Sequence, residues 1–110
     1  MINETGLNRT IKVIKSRKNA DKSNSYVASL LQGSEEKILK KLTEETTELI
    51  LAVNSRQKSE MVHEAADLLF HYLVLLEKVN ISLEEVTDEL LSREGVSGFQ
   101  EKRERKEKSS

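Results

Sequence analysis

Apolar residues recur at three- and four-residue intervals through most of this chain, the spacing that places side chains on one face of an α-helix. Leu7, Ile11 and Ile14 mark a first amphipathic helix from near Glu4 to Arg17. Polar residues then break the period from Lys18 to Asn24, a loop flanked by Arg17, Lys18 and Lys22. Ser25 is placed to cap a short helix through Tyr26, Val27, Leu30 and Leu31, with Gly33 expected to close it in a left-handed conformation. Ser34 can cap the next helix, which runs to about Asn54 and has Glu35 and Glu36 against the positive end of its dipole. A polar turn leads to Ser59, the expected cap of a helix reaching about Val79. Ser82-Leu83-Glu84-Glu85 reads as a capping box, with Ile81 and Val86 as its hydrophobic staple. The helix that follows buries Leu83, Val86 and Leu90 and stops near Gly95. No segment alternates with the period of a strand, so the predicted fold is all-α, an antiparallel bundle of four to five helices.

One helix breaks the amphipathic rule. From Ala65 to Leu76 only Asp67 and His71 are polar or ionisable in a sense that interrupts an otherwise apolar circumference. Such a helix should be covered on most sides, more than one small protomer provides, so the bundle is expected to be completed by dimerisation. Residues 1–98 then form the domain and 99–110 a charged tail, in which Lys102, Arg103, Arg105, Lys106 and Lys108 alternate with glutamates.

Leu, Ile, Val and Phe supply 31 of 110 residues, enough to build a core. Charged residues are 34% of the chain and nearly cancel to a net charge of −1, so no global field draws it to nucleic acid or a membrane surface. The chain has no Cys, which excludes disulfides and thiolate metal sites. With no membrane-length apolar run and no signal-peptide core, a cytoplasmic location is expected.

The chemistry lies in two acidic stripes. Glu45 pairs with Glu48, and Glu64 with Asp67, on adjacent turns of consecutive helices, an arrangement of like charges that needs a cation between them. On the first of these helices Ile38, Leu42, Leu49 and Val53 share an apolar arc, with Glu45 at its edge and Glu48 just beyond; Glu44 lies closer to the solvated side. Carboxylates without Cys favour Mg²⁺ or Mn²⁺ over zinc, and His71 falls outside the Glu-x-x-His register of di-iron bundles. His71 can be a core histidine bonded to Asp67 one turn back or a ligand. Magnesium commonly engages substrate phosphates, so the stripes suggest phosphoryl chemistry, with Lys37, Lys40 and Lys41 near enough to touch a phosphate or simply to be solvated.

Glu44-Glu45-x-x-Glu48 followed by Glu64-x-x-Asp67 resembles the signature of MazG-like all-α nucleotide pyrophosphohydrolases. Ser25-Tyr26, Gly33, Lys40-Lys41, the run from Glu64 to His71, and Arg93-x-Gly95-x-Ser97-Gly98-x-x-Glu101-Lys102 narrow the resemblance to phosphoribosyl-ATP pyrophosphohydrolases of histidine biosynthesis. It extends from about Leu7 to Arg105; Leu42-Thr43 departs from the family's usual Val-Gly. The resemblance implies hydrolysis of the α,β-phosphoanhydride of phosphoribosyl-ATP. It implies Mg²⁺ on Glu45, Glu48, Glu64 and Asp67, with Glu44 as general base or water-mediated ligand and Glu44, Glu45 and Glu48 as the catalytic acids. It also offers Arg17, Lys18, Lys41, His71, Arg93, Ser97, Gly98 and Lys102 as substrate contacts. Two alternatives stay open: a house-cleaning hydrolase of surplus nucleoside triphosphates, and a binding-only helical module indifferent to Mg²⁺.

Overall fold

The computed structural model describes residues 4–95, 102–103 and 105–106, and among these the only regular structure is helix. Helix α1 spans Glu4–Ser16, α2 Tyr26–Gln32, α3 Glu35–Ser55, α4 Lys58–Lys78 and α5 Leu83–Ser92. The α3–α4 hairpin is the scaffold, and α1 and α2 also pack on α4, which makes α4 the central element. Ile14 of α1, Leu30 of α2, Ile38 of α3 and Leu73 and Val74 of α4 form the buried core, with Leu7, Ile11, Val27, Leu31, Phe70 and Leu83 packed around it. Each such buried aliphatic side chain contributes roughly 1.5–3 kcal/mol by leaving water. No described helix is long and apolar enough to cross a membrane.

The helix starts follow from their caps. Ser25, Ser34 and Ser82 each accept a hydrogen bond from the backbone N–H three residues on. The Ser82 capping box is complete, since the Glu85 carboxylate also accepts from the Ser82 N–H at 2.8 Å. Helix α4 differs from expectation: it starts at Lys58 after Gln57, which makes no side-chain cap bond, so Ser59 lies inside the first turn. Arg56 takes the left-handed conformation that ends α3, at φ 62°, and Gln57 directly after it is the N-cap position of α4.

Gly33 is a second correction. Its φ of −80° and ψ of −170° are open to any residue, so no left-handed turn requires glycine there. The requirement is steric instead: a Cβ at Gly33 would lie 2.8 Å from the Ser29 carbonyl oxygen. The carbonyls at this end of α2 are met from another element, because Lys78 Nζ donates to the Leu31 oxygen at 2.8 Å and the Gly33 oxygen at 2.6 Å. Gly95 does adopt the left-handed region, at φ 82°, three residues beyond the end of α5.

Two expected faces shift. On α3 the buried line is Ile38, Glu45 and Ala52, seven residues apart, while Leu42 and Leu49 are half-buried and Val53 is exposed. The line of contact with α4 is thus rotated so that Glu45 sits within it and not at its edge. On α5 no residue is fully buried and Leu90 is exposed. In α4, His71, Leu73, Val74 and Leu76 are buried, but Ala65 and Ala66 are exposed and Leu69 is 47% exposed, so one side of its amino-terminal half is not covered by the described residues. The boundary after residue 98 lies outside the described residues.

Candidate metal centre

Glu45 is the acid that defines the site. It lies in the α3–α4 seam at 5% exposure, and its Oε1 is 3.4 Å from Lys41 Nζ. Its other oxygen, Oε2, is buried without a hydrogen-bond partner, and so is Glu64 Oε2 across the seam on α4. Burying carboxylate oxygens without donors costs several kcal/mol unless something positive answers them. Glu45, Glu48 and Glu64 each bring a ligand atom within 4.8 Å of the others, and a second grouping that shares Glu64 adds Asp67 and His63 within the same limit. All-oxygen donors with two unsatisfied buried atoms fit a hard divalent cation such as Mg²⁺ or Mn²⁺. Glu48 is exposed and Glu64 and Asp67 are partly exposed, so one side of the cluster opens to water. The opening is a cleft of about 430 Å³ between α3 and α4, lined by Glu48, Leu51, Ala52, Ser59, Glu60, His63 and Glu64.

Positive charge borders the cluster. Lys41 bridges Glu44 and Glu45 at 3.4 Å each, one turn before both acids. Partial burial alone would depress Lys41, but the nearby Tyr26, Glu44 and Glu45 outweigh it and hold the ammonium above its usual value. Burial pushes the Tyr26 phenol up, Lys41 opposes this, and Glu45, Glu44 and Asp67 add to it.

His71 is not open to the cleft. The ring is buried, with Nδ1 2.7 Å from the Asp67 carbonyl oxygen and Nε2 2.8 Å from the Tyr26 hydroxyl. Its bond to Asp67 is therefore to the backbone and not to the carboxylate, and both nitrogens are engaged inside the protein. Arg17 and Lys18 are exposed on the connection between α1 and α2, a path held by Gln32 Nε2 donating to the carbonyls of Lys18 and Ala20. Arg93 caps α5 and pairs with Glu89 at 3.3 Å. Lys102 is exposed and helical, while Ser97 and Gly98 lie outside the described residues.

Two residues at the site escaped sequence reasoning. His63 Nε2 lies 3.4 Å from the Asp67 carboxylate, and the four-residue spacing between them on one helix was a readable signal. Tyr26 is joined to His71 across 45 positions, and no local pattern announces such a contact.

A family model described as phosphoribosyl-ATP pyrophosphohydrolase matches residues 7–94, a span that contains both acidic stripes. The chain belongs to this family. A protein of Nitrosomonas eutropha named phosphoribosyl-ATP pyrophosphatase is 45% identical over 98 residues, covering 89% of this chain and 84% of that one. Relatives of the same name from Nitrosospira multiformis and Geobacter metallireducens are 49% and 50% identical, over 89% and 87% of this chain and 81% and 88% of theirs. The matched span takes in α1 from Leu7 and the whole of α2 to α5, with the four acids on α3 and α4 inside it.

Proposed function

We propose that this chain hydrolyses the α,β-phosphoanhydride of phosphoribosyl-ATP, giving phosphoribosyl-AMP and pyrophosphate, the second step of histidine biosynthesis, in a Mg²⁺-dependent reaction. The single observation that carries the metal dependence is the pair of buried, partnerless oxygens on Glu45 and Glu64. The substrate is carried by the family match and by relatives named for phosphoribosyl-ATP.

In this reading Glu45, Glu48, Glu64 and Asp67 hold Mg²⁺ or Mn²⁺. Bound there, such an ion neutralises phosphate charge and makes a coordinated water more acidic. Glu44 is exposed one position before the buried Glu45, and takes the proton of the attacking water as the phosphoanhydride bond breaks and pyrophosphate leaves. Lys41 contacts the phosphates, joined by Arg17, Lys18, Arg93, Ser97, Gly98 and Lys102. His71 has both nitrogens engaged inside the protein, with the Tyr26 hydroxyl and the Asp67 carbonyl, so it is left out of the substrate contacts.

A second copy of the chain completes the unit. The reading is supported by Ile50, Leu51, Val62 and Leu69, apolar side chains 47–62% exposed on the α3–α4 hairpin. A cytoplasmic location accords with a chain that has no Cys.

The deciding experiment incubates the pure protein with phosphoribosyl-ATP, ATP and deoxynucleotides, with Mg²⁺ and with chelator, and identifies the products. Phosphoribosyl-AMP and pyrophosphate in equal amounts, only with metal, are expected. Sequential orthophosphate release, or faster turnover of ATP or a deoxynucleotide, would assign the same acids to a general nucleotide pyrophosphohydrolase.

A further inference from the structure

His63 stands on the open side of the acidic cluster. It lies one turn before Asp67 on α4, with Nε2 3.4 Å from the Asp67 carboxylate, and it lines the same cleft as Glu48 and Glu64. As a surface ion pair the contact achieves little, because the histidine side chain is 72% exposed and 3.4 Å is long for a hydrogen bond. That distance is close, however, to the roughly 3 Å that separates adjacent donors around an octahedral ion with bonds of about 2.1 Å.

The cluster has two halves that meet at Glu64. Glu45, Glu48 and Glu64 each place a donor atom within 4.8 Å of the others, and so do His63, Glu64 and Asp67. More than charge points to a cation here: Glu45 is 5% exposed and keeps a buried oxygen without a partner, and Glu64, common to both halves, keeps another. The second half differs in kind, since one of its three donors is nitrogen. Mg²⁺ prefers oxygen donors and its own waters, whereas first-row transition ions take carboxylate and imidazole together. His71 offers no such donor, because Nδ1 faces the Asp67 carbonyl and Nε2 the Tyr26 hydroxyl. The chain has two histidines, so an imidazole at the ion is that of His63.

We propose that His63 is a metal ligand and the residue that sets ion preference: its nitrogen joins Glu64 and Asp67 and makes the centre favour Mn²⁺ over Mg²⁺. The proposal rests on the reading of the acids as a metal centre. Mg²⁺ still binds through the carboxylates, and His63 adds a contact that the transition ion uses.

The test is pulsed EPR of Mn²⁺ bound to the full chain at about pH 8, since imidazole ligates in its neutral form. The wild type should show hyperfine coupling to a directly bound nitrogen, and His63→Ala should lose it. In titrations of the same two proteins, His63→Ala should weaken Mn²⁺ binding about tenfold or more and Mg²⁺ binding less than about twofold. The side chain is largely exposed, so the substitution leaves the core alone, and the wild-type spectrum needs no variant. Mn²⁺ bound without nitrogen coupling, or an unchanged preference between the two ions in His63→Ala, would overturn the proposal and leave the metal centre standing, with His63 a surface partner of Asp67. Coupling that survives in His63→Ala would overturn it too, by placing the nitrogen elsewhere. Failure of the wild type to bind either ion at millimolar concentration would overturn the metal reading itself, and the proposal with it.

Discussion

Glu45 occupies a position where α3 and α4 meet and where an alanine-sized or aliphatic residue would pack as Ile38 and Ala52 do. A carboxylate there destabilises the metal-free chain, and Lys41 answers only one of its oxygens. Millimolar Mg²⁺ or Mn²⁺ should therefore raise the melting temperature, by mass action on the folded state alone. Glu48→Gln, a change at an exposed ligand that leaves the seam intact, should lose that rise; thermal scans with metal and with chelator check it. An unmoved wild-type melting temperature would remove the metal from the site. A second prediction concerns Gly33. An alanine Cβ 2.8 Å from the Ser29 carbonyl forces α2 or its exit to shift, so Gly33→Ala should cost about 1–3 kcal/mol, read from urea unfolding.

At the scale of elements, α2 depends on another helix. It has seven residues, too few to persist by itself, and Lys78 of α4 binds its last carbonyls. Lys78→Met, which keeps the aliphatic stem, should cost about 1.5–3 kcal/mol, the range for hydrogen bonds from a charged donor. Hydrogen exchange should show the loss concentrated in residues 26–33, and uniform loss across α3 would contradict it. This bond also illustrates what sequence could and could not disclose. The starts of α2, α3 and α5 were legible because caps are local: Ser25, Ser34 and Ser82 each act within three residues. The acids were legible because their spacing is helical. The rotation of α3 that buries Glu45 was not, because it is set by what α4 presents to it. For the same reason Lys78 reaching Gly33 and Tyr26 reaching His71, contacts across 45 positions each, left no trace in any periodicity. Gly33 was assigned the wrong cause, a positive φ, where the requirement is a close backbone approach.

For the whole molecule, the uncovered apolar side chains of the hairpin set the expectation. Val62 at 60% exposure and Leu51 at 62% are aliphatic groups that a monomer in water gains nothing by presenting. Sedimentation equilibrium at micromolar concentration should give a dimer or larger, and Val62→Glu should shift it toward monomer by placing a charge in the interface. A fully active wild-type monomer would show that the face has another purpose.

The left-handed Arg56 that turns α3 into α4 bears on how quickly the acids come together. All four lie on helices joined by a two-residue reversal, so closing the site requires only a short loop, at small entropic cost. If the hairpin is formed in the folding transition state, a ligand held by it accelerates refolding instead of merely slowing unfolding. On the metal-dependent reading proposed above, a stopped-flow comparison should therefore show Mg²⁺ raising the folding limb of the chevron more than it lowers the unfolding limb.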